Sequence, residues 1–185
     1  MLRIIGGAFR GMTLETPRSI RATETKVRQA LYNILGPGVE GARVLDVFAG
    51  SGAVGLEALS RGAEFAAFIE SDTEAVMSIR DTLLRLGPDL PREAWRLVHL
   101  DVERGLRQLA RAEPPFDVIF LDPPYRTEEG KKALNSVVQY AMLAPAGIIV
   151  LEHDQRTTLP LSVGFVRQWK RHRYGDTVLS FYRQD

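Results

Sequence analysis

From residue 43 to residue 151 the chain repeats one unit: an unbroken apolar run, a turn, then a helical stretch. The apolar runs fall at residues 44–48, 65–69, 97–100, 118–121 and 148–151. A strand with one wet face alternates apolar and polar residues. These runs do not, so both of their faces must be covered, as in a parallel sheet flanked by helices. The stretches between them, at 54–61, 73–86, 102–111 and 128–142, read as those helices. The order predicts an α/β, doubly wound fold.

Both ends depart from this grammar. Residues 2–5 and 12–16 flank Gly6, Gly7 and Gly11 and read as a short hairpin. Residues 23–35 read as a helix, because Val27, Ala30, Leu31, Ile34 and Leu35 form one apolar stripe. Gly36-Pro37-Gly38 ends it. In the tail, 164–171 and 177–183 read as two strands around a turn at Tyr174-Gly175-Asp176. With no helix between them, they make an antiparallel hairpin at the sheet edge. Residues 1–42 are therefore taken as an N-terminal extension of hairpin and helix, and 43–185 as the main domain.

The first apolar run passes into Asp46-Val47-Phe48-Ala49-Gly50-Ser51-Gly52-Ala53-Val54-Gly55. Gly50, Gly52 and Gly55 satisfy G-x-G-x-x-G between a strand and a helix, and Glu70 follows Gly50 by 20 residues. By spacing alone this suits a nicotinamide dinucleotide. It equally suits S-adenosylmethionine (SAM), since an acid at the second strand end can hold ribose hydroxyls in either cofactor. Two residues tip the balance. Asp46 would repel a pyrophosphate but attract an ammonium or sulfonium group, a term of a few kcal/mol before desolvation in a partly buried site. Asp101 ends the third run, where it could accept from an adenine amino group.

The fourth run ends in Asp122-Pro123-Pro124-Tyr125. Ligands of open α/β sheets bind beyond the carboxyl ends of the strands. Two adjacent prolines are stiff and have no N–H, so the segment presents acceptors only. That suits a planar amino nitrogen as methyl acceptor. The Asp122 side chain and the Pro123 carbonyl can take its two N–H bonds and favour rehybridisation in the transition state. Tyr125 offers a face on which a base can stack, worth about 1–3 kcal/mol. Positioning of two reactants could carry much of the rate.

Composition removes other chemistries. There is no cysteine, so no disulfide, thiol nucleophile or thiolate–zinc site is available. His99, His153 and His172 lack metal-ligand spacing, so no metal is expected. No apolar stretch has the length of a signal peptide or a membrane span, which predicts a cytoplasmic protein with no membrane partner. Net charge is +1 but unevenly spread: +4 over residues 1–43, −7 over 44–154 and +4 over 155–185. Basic ends around an acidic middle suggest a polyanion-binding rim if the ends meet in space.

Several further motifs carry a resemblance that spans nearly the whole chain. They are Arg3-Ile4-Ile5-Gly6-Gly7 with Arg10-Gly11, Arg21-Ala22-Thr23, Val27-Arg28 and Leu31-Tyr32-Asn33. With them go the string from Asp46 through Glu57-Ala58-Leu59-Ser60-Arg61-Gly62, the Asp122 motif, and Tyr174-Gly175-Asp176-Thr177. The chain resembles the RsmD-like enzymes, bacterial methyltransferases acting on guanine N2 in 16S ribosomal RNA. The resemblance implies a Rossmann-like SAM-dependent methyltransferase fold, with a mostly parallel seven-stranded sheet. It implies SAM held by Asp46, Phe48, Ala49, Gly50, Ser51, Gly52 and Asp122. Glu70 and Ser71 would lie at the ribose, and Asp101 and Val102 near the adenine. Asp122, Pro123, Pro124 and Tyr125 would surround the guanine amino group. Arg10, Arg21, Thr23, Lys26 and Arg28, with Tyr125, would hold RNA, in the small subunit or its assembly intermediate, as a monomer. Ala22 stands where family members often carry Pro, and Gln29 where they often carry Glu.

Competing readings share parts of this pattern. A DNA adenine-N6 methyltransferase usually needs a target-recognition segment, and only about 40 residues precede the main domain. A protein glutamine methyltransferase more typically reads Asn-Pro-Pro-Tyr. An NAD-binding oxidoreductase would need a proton donor near a strand end, and no Ser-Tyr-Lys grouping occurs. A non-catalytic RNA-binding module would not need the Asp122 motif.

Overall fold

The structure is a computed structural model and describes residues 2–16, 25–87, 89–125 and 127–184. Five helices sandwich one sheet. Strands β3 (Arg43–Val47), β4 (Phe65–Glu70), β5 (Trp95–His99), β6 (Phe116–Leu121) and β7 (Leu143–Asp154) are mutually parallel. Beyond β7 lie β10 (Thr177–Gln184), β9 (Val166–Tyr174) and β8 (Ser162–Val163), all antiparallel. The order across the sheet is β5-β4-β3-β6-β7-β10-β9-β8. The sheet thus has eight strands rather than seven. The addition is β8, two residues too short to carry a periodic signal.

One face of the sheet is covered by α1 (Thr25–Leu35), α2 (Ala53–Ser60) and α3 (Thr73–Arg85). The other is covered by α4 (Val102–Ala112) and α5 (Glu129–Gln139). Most of the expected apolar runs are buried on both faces, all six residues of β4 among them, whereas the run on the edge strand β5 is only partly buried. The small antiparallel pair β1 (Leu2–Arg3) and β2 (Thr13–Leu14) packs Ile4 and Leu14 over α2 and α3.

Two of the expected boundaries that moved have a visible cause. The segment after α5 was read as helix to residue 142, but α5 stops at Gln139 and Tyr140 is its cap. Ala141 takes a left-handed φ of 50°, Met142 N–H donates to the Val137 carbonyl and Ala141 N–H to that of Val138. This is a Schellman ending with alanine where glycine is usual, so the sequence held no stop signal. The strand read at 148–151 belongs to a twelve-residue strand, with an irregularity opposite Phe116 and Val118 that accommodates Pro145.

The order of the strands reverses between β3 and β6. From β3 the chain winds outward to β4 and β5, then returns to β6 on the other side. The crevice above this switch point is where an open α/β sheet accepts its ligand. Val47 pairs with Leu121 across it, so the segments that follow both strands leave the sheet at one level.

Candidate active site

The loop after β3 turns sharply. Phe48 has φ 62°, which costs a non-glycine residue of order 1 kcal/mol or more. Gly50 and Gly52 follow at φ 54° and 69°. Gly52 caps α2, and a Cβ there would approach Ile79 to 2.9 Å. Gly55 serves packing, since a Cβ on it would lie 2.2 Å from the Phe68 ring. Each glycine of the motif therefore has a separate physical reason.

Acids line the adjoining strand ends. Asp46 is buried, and its Oδ2 accepts from the Gly55 N–H at 2.9 Å. Burial pushes its pKa well up against that hydrogen bond, and the charges of Asp122 and Glu70 push it further. Glu70 accepts from the amides of Gly50 at 2.7 Å, Ser71 at 2.7 Å and Asp72 at 2.8 Å. It pins the glycine loop to the end of β4 and keeps lone pairs for a hydroxyl donor. Asp101 caps α4, accepting from Arg104 N–H at 3.0 Å, and its side chain is 55% exposed. Val102 opens α4 beside it, half-buried. With strands about 4.8 Å apart, the row from Asp101 after β5 to Asp122 after β6 spans about 14 Å.

The Asp122 motif closes the other side of the crevice. Asp122 N–H reaches the Val47 carbonyl at 3.3 Å, placing it beside the glycine loop. Pro123 is buried, with Gly130 of α5 fitted against it, while Pro124 is exposed. The Tyr125 hydroxyl donates to Glu152 Oε1 at 2.9 Å and lies 2.8 Å from Thr177 Oγ1. Burial foremost, with the Glu152 and Asp122 charges, raises its pKa, so the hydroxyl stays a donor. Tyr125 is thus tied at its tip to β7 and β10. Glu152 and Thr177 escaped sequence reasoning, although a Glu-His-Asp run ending an apolar strand is a visible signal.

The expected RNA-contacting residues divide. Arg21 and Thr23 lie outside the described residues. Lys26 is exposed on the first turn of α1. That helix leads through Gly36–Val39 into the start of β3, so its own start faces the crevice end of the sheet. Arg10 is exposed on a hairpin tip seated at the C-terminal turn of α2, where Ala8 N–H donates to the Ser60 carbonyl at 2.7 Å. An eight-residue helix, about 12 Å, separates that tip from the glycine loop. Arg28 must be corrected. It is fully buried, donates to the Arg3 carbonyl and sits 3.8 Å from Glu57, leaving no surface for a phosphate. Glu57 also accepts from Ile5 N–H at 2.8 Å and pairs with Arg61 at 2.8 Å. A lone charged residue in a wholly buried helix was the available signal.

Only part of the basic N-terminal segment comes near the C-terminal hairpin. The β1–β2 pair lies over α2 and α3, whereas β9 is five strand positions from β4. What approaches the C-terminal hairpin is α1, whose Val27 and Leu31 share a core with Leu179 and Phe181. Among the described residues, no group of three His, Cys, Asp or Glu could hold a metal, and no helix is long and apolar enough to cross a membrane.

A ligand for this crevice must tolerate three carboxylates at one end. SAM, which carries an ammonium and a sulfonium there, fits; a pyrophosphate does not. Switch-point glycine loop, acidic strand ends and proline motif together define a Rossmann-like SAM-dependent methyltransferase fold, whose cofactor is S-adenosylmethionine. A solved structure complexed with S-adenosylhomocysteine shares that fold at TM-score 0.63 and 17% identity. The chain belongs to the family described as Conserved hypothetical protein 95, whose model matches residues 2–183, and this is the RsmD family that the motifs resemble. It is 38% identical over 185 residues to YlbH of Bacillus subtilis, covering 99% of each chain. It is 35% identical over 174 residues to Ribosomal RNA small subunit methyltransferase D of Escherichia coli strain K12, covering 93% of this chain and 83% of that protein. The solved structure of yhhF from Escherichia coli superposes with TM-score 0.85 at 32% identity, over 100% of this chain and 98% of that one.

Proposed function

We propose that this protein methylates the exocyclic N2 amino group of a guanine in 16S ribosomal RNA, of the guanine-966 type. The observation that carries this reading is the acceptor-only Asp122 motif at the switch point, beside the acidic crevice. The substrate is inferred from the small-subunit activity in the relatives' name. Bound SAM supplies an electrophilic methyl group. Asp122 and the Pro123 carbonyl accept the two amino N–H bonds, which turns the nitrogen lone pair toward the methyl. The Asp122 carboxylate then takes the proton released on transfer. Tyr125, held by Glu152 and Thr177, keeps its ring fixed as a platform for the guanine. Glu70 and Ser71 face the ribose, and Asp101 with Val102 the adenine. Residues 1–42 act as the substrate-side extension, with Lys26 nearest the crevice. The enzyme works on the cytoplasmic small subunit or its assembly intermediate.

Nucleoside mass spectrometry of ribosomal RNA from a deletion strain tests this. N2-methylguanosine in 16S RNA should disappear and return with the intact gene. Asp122→Ala should fail to restore it while binding S-adenosylhomocysteine within a few-fold of wild type. Asp46→Ala should lose that binding. Unchanged N2-methylguanosine with loss of another mark would sink the substrate assignment.

A further inference from the structure

β9 reads Val-Arg-Gln-Trp-Lys-Arg-His-Arg-Tyr, with four Lys/Arg and no acid. Among the described residues, its outer edge is covered only at its start, where β8 pairs with Val166 and Arg167 and Gln168 N–H reaches the Leu161 carbonyl. From Trp169 to Tyr174 no described strand pairs with this edge. Three rings stand on one face of this stretch. Trp169 and His172 both meet the buried Phe181 edge-on, at centroid distances of 6.3 and 6.0 Å. His172 lies nearly parallel to Tyr174 at 6.4 Å. Phe181 therefore braces the outer rings, while Trp169 remains 41% exposed. Cations surround them. The Arg183 guanidinium sits 4.6 Å from the Trp169 ring centre and the Lys170 ammonium 5.5 Å. Among the described residues, no acid lies within ion-pair distance of Lys170, Arg171, Arg173 or Arg183.

We infer that this face of β9 is a stacking platform for unpaired bases of single-stranded RNA flanking the target, with Trp169 its principal ring. The inference rests on the ribosomal RNA reading above. Bases stack on any exposed aromatic ring, and neighbouring cations track the phosphates. Position supports the assignment. Thr177 pairs with both Tyr174 and Asp154, so the Tyr174 end of β9 reaches the same sheet edge as the crevice. The lateral distance from β6 is three strand spacings, about 14 Å. From Tyr174 the strip runs back about 17 Å to Trp169. Cations on an edge strand also deter strand addition, but that role gives no reason to expose a tryptophan between them. A second copy of the chain is disfavoured, because pairing two such edges would set like charges against each other.

The chain has two tryptophans, so Trp95→Phe leaves Trp169 as the sole emitter. This protein should be titrated with an unstructured RNA of about ten nucleotides, with heparin as a base-free polyanion. Saturable quenching by RNA and little change with heparin are expected. Trp169→Ala should weaken that RNA about tenfold, and Trp169→Phe distinctly less, both with unchanged thermal unfolding. Bound RNA without quenching, or equal quenching by heparin, would overturn the platform. So would a dimer that Trp169→Ala converts to monomer. Methylation read by mass spectrometry separates the two proposals. Quenching without loss of N2-methylguanosine in the deletion strain removes the substrate but keeps the platform; the reverse removes only the platform.

Discussion

Arg28, near the N-terminus, and Arg173, near the C-terminus, belong to segments of equal net charge, and the fold treats them in opposite ways. Arg28 is sealed between α1, α2 and β1, where Glu57 and the Arg3 carbonyl meet its guanidinium. Burial pulls its pKa down against the Glu57 charge. Arg173 stands exposed on β9, its guanidinium donating to the Gly175 carbonyl at 2.7 Å. Charge summed along a sequence is therefore a poor guide to where a polyanion binds. The N-terminal cation is a strut that holds the hairpin to the catalytic domain. The C-terminal ones form a surface.

The sharpest test of this contrast is stability. Arg28→Met removes one buried partner of Glu57 and the donor to the Arg3 carbonyl, leaving Arg61 and the Ile5 N–H on the carboxylate, and should cost about 1–3 kcal/mol in denaturant unfolding. Arg173→Met should stay within about 0.5 kcal/mol. Equal costs at both positions would erase the distinction.

Salt dependence gives a smaller signal. For single-stranded RNA, each phosphate neutralised adds about −0.7 to the slope of log K against log salt. Arg173→Gln and Lys170→Gln should each flatten the slope by about that amount. An unchanged slope in both would place the RNA elsewhere.

The smallest effect concerns the root of the C-terminal hairpin. His153 Nδ1 lies 2.9 Å from the Asp154 carbonyl and must carry the proton, so Nε2 accepts from Ser180 at 2.9 Å. Burial lowers its pKa, opposed by the Asp154 carbonyl and aided by the Arg171 charge. A depressed histidine binds fewer protons folded than unfolded, so stability should fall as pH drops below about 6.5. His153→Gln should remove under about 1 kcal/mol of that slope, while pH should leave the neutral-range stability of the N-terminal strut unchanged. A slope identical in wild type and His153→Gln would assign the acid sensitivity to other groups.

Much of the site was readable because its residues are close in sequence. Gly50, Gly52 and Asp46 sit on one strand–turn–helix unit, and Asp122 with its prolines on another. The reading of Asp101 as an adenine partner and the reading of it as a helix cap are compatible, since capping uses only one of its oxygens. The hold on Tyr125 was not readable, because Glu152 and Thr177 lie 27 and 52 residues away and meet it only through the sheet.

The sequence by itself determined the strand–helix order, the acceptor-only motif and the acids at successive strand ends. Each follows from periodicity, from proline's missing N–H, or from a residue's place at the end of an apolar run. Only the tertiary structure decided which cations are buried, which rings share a face of β9, and that the β1–β2 hairpin lies away from the C-terminal one. Those depend on strand order and on partners distant along the chain, and neither charge nor spacing encodes them locally.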